Sequence, residues 1–196
     1  YERFIRSYAA CASFADAQIG RVLNALDKSP RGKDTIIVLW SDHGFHLGEK
    51  DHIEKFALWE KSNHVPFIVV APGTTKPNTV CEKPVDLTVL YPTLLELCDL
   101  PADSEIDGVS VVPLLRNPKA KWDRPALMTY QRGNHAVRSE RWRYVRYADG
   151  SEELYDHDID PNEWKNLATT PRHEAVMAKH RKWIPKEETE PVPDLS

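Results

Sequence analysis

The 196-residue sequence has few cysteines, little excess charge and no long apolar run. Its three cysteines form no CxxC pair, which excludes a disulfide framework and a cysteine zinc knuckle. Two of them, Cys11 and Cys98, lie in apolar helical patterns and are expected in the core. The absence of a run of about 18 apolar residues predicts no membrane-spanning helix. The 26 basic and 30 acidic residues give a net charge of −4, which argues against a nucleic-acid partner.

Signatures of common nucleotide and nucleophile sites are also missing. The sequence contains no GxGxxG, no P-loop and no G-x-S-x-G elbow, so neither a phosphate-cradling loop nor an activated serine is indicated. The chain starts at Tyr1 rather than at methionine and shows no signal peptide, so we expect it to begin within a longer protein or after processing. Its 41% hydrophobic content is that of a globular protein.

Two apolar runs in the first part of the chain predict strands. Residues 35–40 (TIIVLW) and 67–71 (FIVVA) are short and β-branched, which is typical of strands covered on both faces. Residues 4–26 place apolar side chains at alternating spacings of three and four, which predicts a helix with one buried stripe. Residues 86–98 predict a second helix. Over residues 1–118 we therefore expect an α/β domain, part of a large mixed and partly parallel sheet flanked by helices.

The character of the chain changes after about residue 118. Four short runs rich in aromatic and β-branched residues predict a smaller antiparallel sheet, and Asp149-Gly150 is a strong hairpin signal. A helix over residues 173–183 is expected to pack on this sheet, and the tail from Lys186 is expected to be loosely held. These elements predict an α+β subdomain over residues 119–196. The predicted strands are 126–130, 135–139, 141–147 and 152–155.

Ionisable residues are unusually dense directly after the first predicted strand, in the stretch DHGFHLGEKDHIEKFALWEK. Ligand sites in open α/β sheets lie beyond the carboxyl ends of strands, where Asp42 and His43 stand. A carboxylate and an imidazole side by side can bind a cation, and the ammonium of Lys55 can contact an anionic substrate group. Taken alone, the Asp-His pair is common in turns and a lysine is usually a solvated surface residue, so the structural interpretation stays open.

A zinc site made of histidines is a further hypothesis for this stretch. His43, His46 and His52 follow an H-x2-H-x5-H spacing, which lacks the i,i+4 pattern of two ligands on one helix face. Two glycines within the same stretch disfavour a helix there. We therefore expect His46 and His52 to be loop histidines rather than metal ligands.

The stretch SDHGFHLGEK, together with Lys55 and the following LWE, resembles the C-terminal half of sulfatases of the alkaline-phosphatase superfamily. The similarity is greatest to the iduronate-2-sulfatase-like branch. Further segments resemble the family as well, so the likeness covers nearly the whole chain. They are residues 8–26, 64–73 (HVPFIVVAPG), 86–98, 107–115, 135–147 and 149–167, which contains DPNEWKNL.

The resemblance implies roles for individual residues. Asp42 and His43 would be ligands of one divalent cation, usually Ca²⁺, that holds the substrate sulfate. An imidazole suits a hard cation poorly, which leaves the identity of the metal open. Lys55 would contact the sulfate and stabilise charge during S–O cleavage. His135 is a candidate for the rim that binds the substrate.

The resemblance also implies a partner. Sulfatases make a formylglycine nucleophile in a C/S-x-P-x-R motif, which this chain lacks. An N-terminal chain or segment with that motif would complete the enzyme, and this chain alone is expected to be inactive. The expected substrate is a sulfate ester, such as a sulfated carbohydrate, and the expected location is lysosomal, periplasmic or secreted. The alternatives are a phosphodiesterase or phosphonate hydrolase of the same superfamily, and a non-catalytic binding subunit.

Overall fold

The chain begins with one long helix. In the computed structural model, which describes residues 1–190, α1 spans Glu2–Asp27, close to the predicted bounds. Its first turns pack Phe4 and Tyr8 against Phe45, with ring centroids 6.1 and 5.4 Å apart. No residue of α1 is buried, so the prediction of a buried stripe is wrong for this chain. The physical reason is that Phe45 covers only the first turns of the apolar face, and Val22 farther along the helix is 67% exposed.

The next element is β1 (Ile37–Trp40), which pairs with β4 (Phe67–Val70) in an antiparallel ladder. Both strands are predicted correctly, but a parallel pairing is not found within residues 1–190. The chain between them returns through a hairpin and a short helix rather than through a crossover helix, which allows the antiparallel direction. Trp40 and Ile68 are half-exposed, so the prediction of strands covered on both faces is also wrong.

The connection between β1 and β4, residues 41–66, carries the candidate site residues and is called the site segment here. It contains a short hairpin of two strands with two residues each, β2 (His46–Leu47) and β3 (Ile53–Glu54), in which His46 lies opposite Glu54. The short helix α2 (Glu60–Asn63) then leads back to β4. The site segment therefore starts and ends at the same pair of strands.

Two further helices complete the first part of the chain. α3 (Leu90–Leu97) follows a 3-10 turn in which Asp86 accepts a hydrogen bond from the backbone N–H of Thr88, and α4 (Val112–Arg116) packs near it. Cys98 ends α3 and is exposed, as is Cys11 on α1, so the prediction that both lie in the core is wrong. The apolar cluster of this region consists of Val89, Val111 and Leu114, with Phe67 and Trp122 packed against it.

The chain after residue 118 forms the predicted four-stranded antiparallel sheet, with its strands in sequence order. The hairpin at Asp149-Gly150 is confirmed, and Gly150 has the positive φ of 85° that this turn requires. The α/β fold class is confirmed by these elements together. The strands are β5 (Ala126–Thr129), β6 (His135–Arg138), β7 (Trp142–Arg146) and β8 (Glu152–Asp156).

The two faces of this sheet pack against different parts of the chain. One face buries Val137, Tyr144 and Leu154 against Met177 of α5 (Glu174–Arg181), the helix predicted to close the sheet. Because side chains alternate along a strand, the residues next to these point to the opposite face, which receives the site segment. That opposite face is called the clamp face here. Its members are Ala136, Arg138, Arg143, Val145, Glu153 and Tyr155.

The end of the described chain is attached to the sheet. The carboxylate of Glu188 accepts a hydrogen bond from the backbone N–H of Gly133, so the tail is held at this point, whereas a loosely held tail is predicted from Lys186. Residues 191–196 lie outside the described residues. A domain boundary near residue 118 stays a prediction. Within residues 1–190, no helix is both long enough and apolar enough to cross a membrane.

Candidate active site

A glycine shapes the backbone at the start of the site segment. The N–H of Gly44 donates to the carbonyl oxygen of Ser62 at 2.8 Å, so the beginning and the end of the site segment lie against each other here. A Cβ on Gly44 would lie 2.1 Å from the carbonyl oxygen of Lys61, so any side chain here would force the backbone to shift. This close contact fixes the backbone directly after the Asp42-His43 pair.

Asp42 and His43 present their polar atoms side by side. The Asp42 side chain is 81% exposed, and its Oδ2 lies 3.8 Å from His43 Nε2. His43 Nδ1 lies 2.7 Å from the carbonyl oxygen of Gly44. A carbonyl can only accept, so Nδ1 carries a proton, and in the neutral imidazole Nε2 then keeps its lone pair. Metal-binding histidines commonly use this arrangement, in which the nitrogen that does not bind metal donates to a carbonyl. The pair therefore fits a divalent cation.

This pair cannot complete a calcium site by itself. Ca²⁺ takes about six to eight oxygen ligands, and Asp42 supplies at most two. Within residues 1–190, a cluster of three metal-type side chains is formed elsewhere and includes neither Asp42 nor His43. The remaining ligands would therefore be carbonyl oxygens, water or groups outside the described residues.

Lys55 lies in the same segment, next to the hairpin. Its side chain is half-buried, and Nζ lies 5.4 Å from the centroid of the Phe56 ring. Among residues 1–190 it forms no ion pair with a carboxylate within 4.0 Å. Its ammonium is therefore available to an anionic ligand.

The site segment is anchored on the clamp face by two large side chains. Leu58 is buried against Ala136 and Val145, which stabilises the contact by about 1.5–3 kcal/mol. The indole Nε1 of Trp59 donates to Glu153 Oε2 at 2.7 Å. The sheet therefore fixes the part of the segment that follows Lys55.

A buried charge network lies beside these anchors. Arg143, whose side chain is 2% exposed, donates from Nη1 to the carbonyl oxygen of Leu58 at 2.9 Å and pairs with Glu60. Its Nε lies 2.7 Å from Glu163 Oε1 in a contact too bent for a hydrogen bond, so this contact is an ion pair. Burial opposes ionisation of Glu60, but Arg143 and Arg138 outweigh it and lower the pKa of Glu60 to about 2. Glu60 is therefore charged at neutral pH.

The network contains a grouping that resembles a metal site. Glu60, His157 and Glu163 place ligand-type atoms within 4.8 Å of one another. Arg143 contacts both carboxylates, and His157 Nε2 lies 2.9 Å from Glu163 Oε1. Because a guanidinium already supplies the positive charge, this cluster acts as a structural charge network. Sequence reasoning missed it, although Glu163 stands in the DPNEWKNL motif and Arg143 shares a strand face with apolar Val145.

Two further histidines of the site segment, His46 and His52, pack against each other and against Trp59. His46 is buried, and its Nδ1 lies 2.8 Å from Ser62 Oγ. Its ring meets those of His52 and Trp59 edge-on, at centroid distances of 5.0 and 5.9 Å. Burial, with a smaller contribution from His52, lowers the pKa of His46 and keeps it neutral. Whether these histidines bind zinc is not tested by this packing, and their assignment as loop histidines stays a prediction.

His135, the candidate rim residue, lies on the C-terminal sheet rather than in the site segment. Its side chain is buried, with Nδ1 3.0 Å from Thr129 Oγ1 and Nε2 3.3 Å from Glu188 Oε1. Both ring nitrogens are therefore occupied. A substrate contact from His135 would require Glu188 to move away, and the assignment stays a prediction.

Comparison with known proteins identifies similar chains. A family model described as sulfatase matches residues 1–100. A sulfatase of Formosa agariphila is 41% identical over 186 residues, which cover 95% of this chain and 36% of that protein. A delta 4,5-hexuronate-2-O-sulfatase of Bacteroides thetaiotaomicron is 32% identical over 197 residues, which cover 92% of this chain and 40% of that protein. The chain thus spans less than half the length of these relatives.

Solved structures show the same fold. A structure described as a 2-O GAG sulfatase aligns with a TM-score of 0.74 and 30% identity, covering 86% of this chain and 39% of that one. A phosphonate monoester hydrolase of Agrobacterium radiobacter aligns with a TM-score of 0.73 and 26% identity, covering 85% of this chain and 37% of that one. The names of these two proteins indicate different reactions, so the shared fold alone does not identify the substrate.

Proposed function

The chain belongs to the sulfatase family, and from that premise we propose that it forms part of an enzyme that hydrolyses sulfate esters. Asp42 and His43 hold one divalent cation, with Ca²⁺ the first candidate and other metals left open by the imidazole ligand. When bound, this cation would polarise the substrate sulfate. The observation that carries the assignment is the fixed tautomer of His43, which leaves Nε2 beside the Asp42 carboxylate.

Lys55 is the proposed catalytic residue of this chain. Its ammonium contacts the sulfate and stabilises the negative charge that develops as the S–O bond breaks. A lysine supplies this charge as a compact ammonium with three donors, which suits the tetrahedral oxygens of sulfate. The absence of a carboxylate partner within the described residues supports this role, because a paired ammonium would first have to be released.

The nucleophile comes from an N-terminal chain or segment that carries the C/S-x-P-x-R motif, and this chain is the C-terminal portion of the enzyme. Support comes from the exposed apolar surface of the first part of the chain. Phe14 and Val22 of α1 are 68% and 67% exposed, and Ile68 and Val70 of β4 are about half-exposed. Apolar surface of this extent marks an interface. Without that partner the chain is inactive.

The substrate is a sulfated carbohydrate, and the chain belongs to the iduronate-2-sulfatase-like branch. Support comes from the relative named delta 4,5-hexuronate-2-O-sulfatase and from the structure named as a 2-O GAG sulfatase. The location follows from this substrate class and is lysosomal, periplasmic or secreted. His135 contributes to the substrate rim only if Glu188 leaves its ring nitrogen.

A second candidate function is hydrolysis of phosphonate monoesters or phosphodiesters. The structural match to a phosphonate monoester hydrolase favours it, at a TM-score close to that of the sulfatase. A third candidate, from a different class, is a non-catalytic binding subunit, which the missing nucleophile motif favours.

The experiment is native purification followed by denaturing mass spectrometry and a substrate comparison. We expect a companion chain or segment with a C/S-x-P-x-R peptide that carries the formylglycine mass change. We also expect an aryl sulfate to be hydrolysed faster than the matched aryl phosphonate monoester and phosphodiester. Preference for either phosphorus substrate would establish the second candidate. A folded chain without a companion would establish the third.

A further inference from the structure

One residue of the C-terminal region contacts the site segment on both sides of Lys55. Lys50 precedes Lys55 by five positions, and its Nζ donates to the backbone carbonyl of Glu163 at 2.6 Å. Glu60 follows Lys55 by five positions, and its backbone N–H donates to Glu163 Oε2 at 2.9 Å. We propose that Glu163 is a positioning residue that fixes Lys55 by holding both ends of residues 50–60. This inference rests on the proposed function and adds a residue to it.

The tether at Lys50 is well defined. Besides the Glu163 carbonyl, its Nζ donates to the hydroxyl of Tyr155 at 2.9 Å. The same ammonium lies 4.5 Å from the centroid of the Trp59 ring and 4.4 Å from that of Tyr155. Two hydrogen bonds and two cation–π contacts restrict this side chain far more than an exposed lysine is restricted.

The tether at Glu60 is enclosed in the buried charge network. Glu163 is 1% exposed, and one of its carboxylate oxygens receives the Glu60 N–H while the other faces Arg143 and His157. Hydrophobic residues of similar volume often stabilise a protein as well as a buried ion pair does, whereas charged and directional contacts can select one arrangement. Here they select the register in which residues 50–60 lie on the clamp face.

Backbone strain around Lys55 shows why such tethers matter. Lys50, Asp51 and Glu54 have φ values of 57°, 55° and 82°, in the left-handed region that side chains disfavour. Glu163 itself has a φ of 60°. Strained residues of this kind persist only where their surroundings hold them, and they concentrate at functional sites. A stretch released from Glu163 would relax and move Lys55.

A double-mutant cycle on the complete enzyme separates positioning from general stability. The variants are Glu163→Gln, Lys55→Ala and both together, assayed for kcat and KM on an aryl sulfate. The control is Glu152→Gln, since Glu152 pairs with Arg181 and Tyr144 on the other face of the sheet. Glu163→Gln leaves the carbonyl that holds Lys50, but its amide has one oxygen and cannot accept the Glu60 N–H and face Arg143 at once. We expect the variant to lower kcat by about 10- to 100-fold, as a displacement of about 1 Å can. Glu152→Gln should leave kcat within about twofold.

The decisive readout is whether the two effects multiply. If Glu163 acts through Lys55, Glu163→Gln has no further effect on kcat once Lys55 is alanine. An equal loss in both backgrounds would overturn the proposal while leaving the role of Lys55 intact. Full activity of Lys55→Ala would instead overturn the proposed function. Should Glu163→Gln fail to fold, Lys50→Met cuts the other tether without leaving a buried carboxylate unpaired, and the same cycle with Lys55→Ala decides.

Discussion

Arg143→Met should destabilise the protein strongly, because Arg143 connects the site segment to the C-terminal sheet. Its side chain is buried, and it contacts the Leu58 carbonyl and the carboxylates of Glu60 and Glu163. Methionine fills a similar volume, so little of the effect should come from a cavity. The change therefore isolates the loss of a buried positive charge.

The size of the effect follows from the contacts that are lost. A hydrogen bond from a charged donor contributes about 1.5–3 kcal/mol. Removing one partner of a buried ion pair costs about 3–5 kcal/mol, because the remaining charge is left uncompensated. Arg138 and His157 still face Glu60 in the variant and limit the loss. We expect the free energy of unfolding to fall by about 3–5 kcal/mol.

Urea unfolding followed by tryptophan fluorescence measures this loss. With a slope of about 2 kcal/mol per molar, the midpoint should fall by about 1.5–2.5 M. The control is Arg6→Met, which breaks an exposed pair with Glu2 one helical turn away and should cost about 0.5 kcal/mol or less. A midpoint shift for Arg143→Met no larger than that of Arg6→Met would refute the reasoning.

Three further predictions concern the site segment. The pKa of Glu60 is about 2 against an ordinary value of 4.5, so its contribution is present above about pH 4.5 and is lost as the pH falls toward 2. Between about pH 4.5 and 2, the fall in the free energy of unfolding should be about 3 kcal/mol smaller in Glu60→Gln than in the unaltered protein. An unchanged pH–stability curve would contradict the lowered pKa of Glu60. Gly44→Ala should lower the Tm in calorimetry by about 5–15 °C, whereas Gly20→Ala, with nothing near its Cβ, should not lower it. Asp42→Ala should weaken Ca²⁺ binding to the complete enzyme at least about tenfold in equilibrium dialysis, and unchanged binding would remove Asp42 from the site.

The C-terminal sheet could be predicted strand by strand from its runs of aromatic and β-branched residues, and the side chains of each strand alternate between two faces. In β7, for example, Arg143 and Val145 share one face while Tyr144 points to the other. The partner of that face could not be predicted, since Arg143 and Glu60 are 83 positions apart and nothing local pairs them. The charge network is therefore a product of tertiary structure.

In the first part of the chain, the helix and strands could be predicted but the way they pack could not. The apolar spacing of α1 identifies the helix and its apolar face, but it does not tell what covers that face, and Cys11 is exposed. The strand runs 35–40 and 67–71 identify β1 and β4, but an apolar run carries no information about strand direction. Both errors concern contacts beyond the element itself.

The candidate site residues could be proposed from the sequence because they are close together along the chain. Asp42, His43 and Lys55 all stand in one segment directly after a strand. In the sequence, Glu163 is distinguished only by its place in the DPNEWKNL motif. Its contacts with Lys50 and Glu60 depend on how the segment lies on the sheet.

The central claim is that Lys55 carries the charge that stabilises sulfate-ester cleavage. The measurement that tests it most directly is kcat for an aryl sulfate with the complete enzyme and its Lys55→Ala variant, with circular dichroism to verify the fold. We expect kcat to fall by about 10²–10³-fold with the fold unchanged, as for loss of one preorganised charge at a transition state. A variant that folds and hydrolyses the sulfate at the unaltered rate would contradict the account.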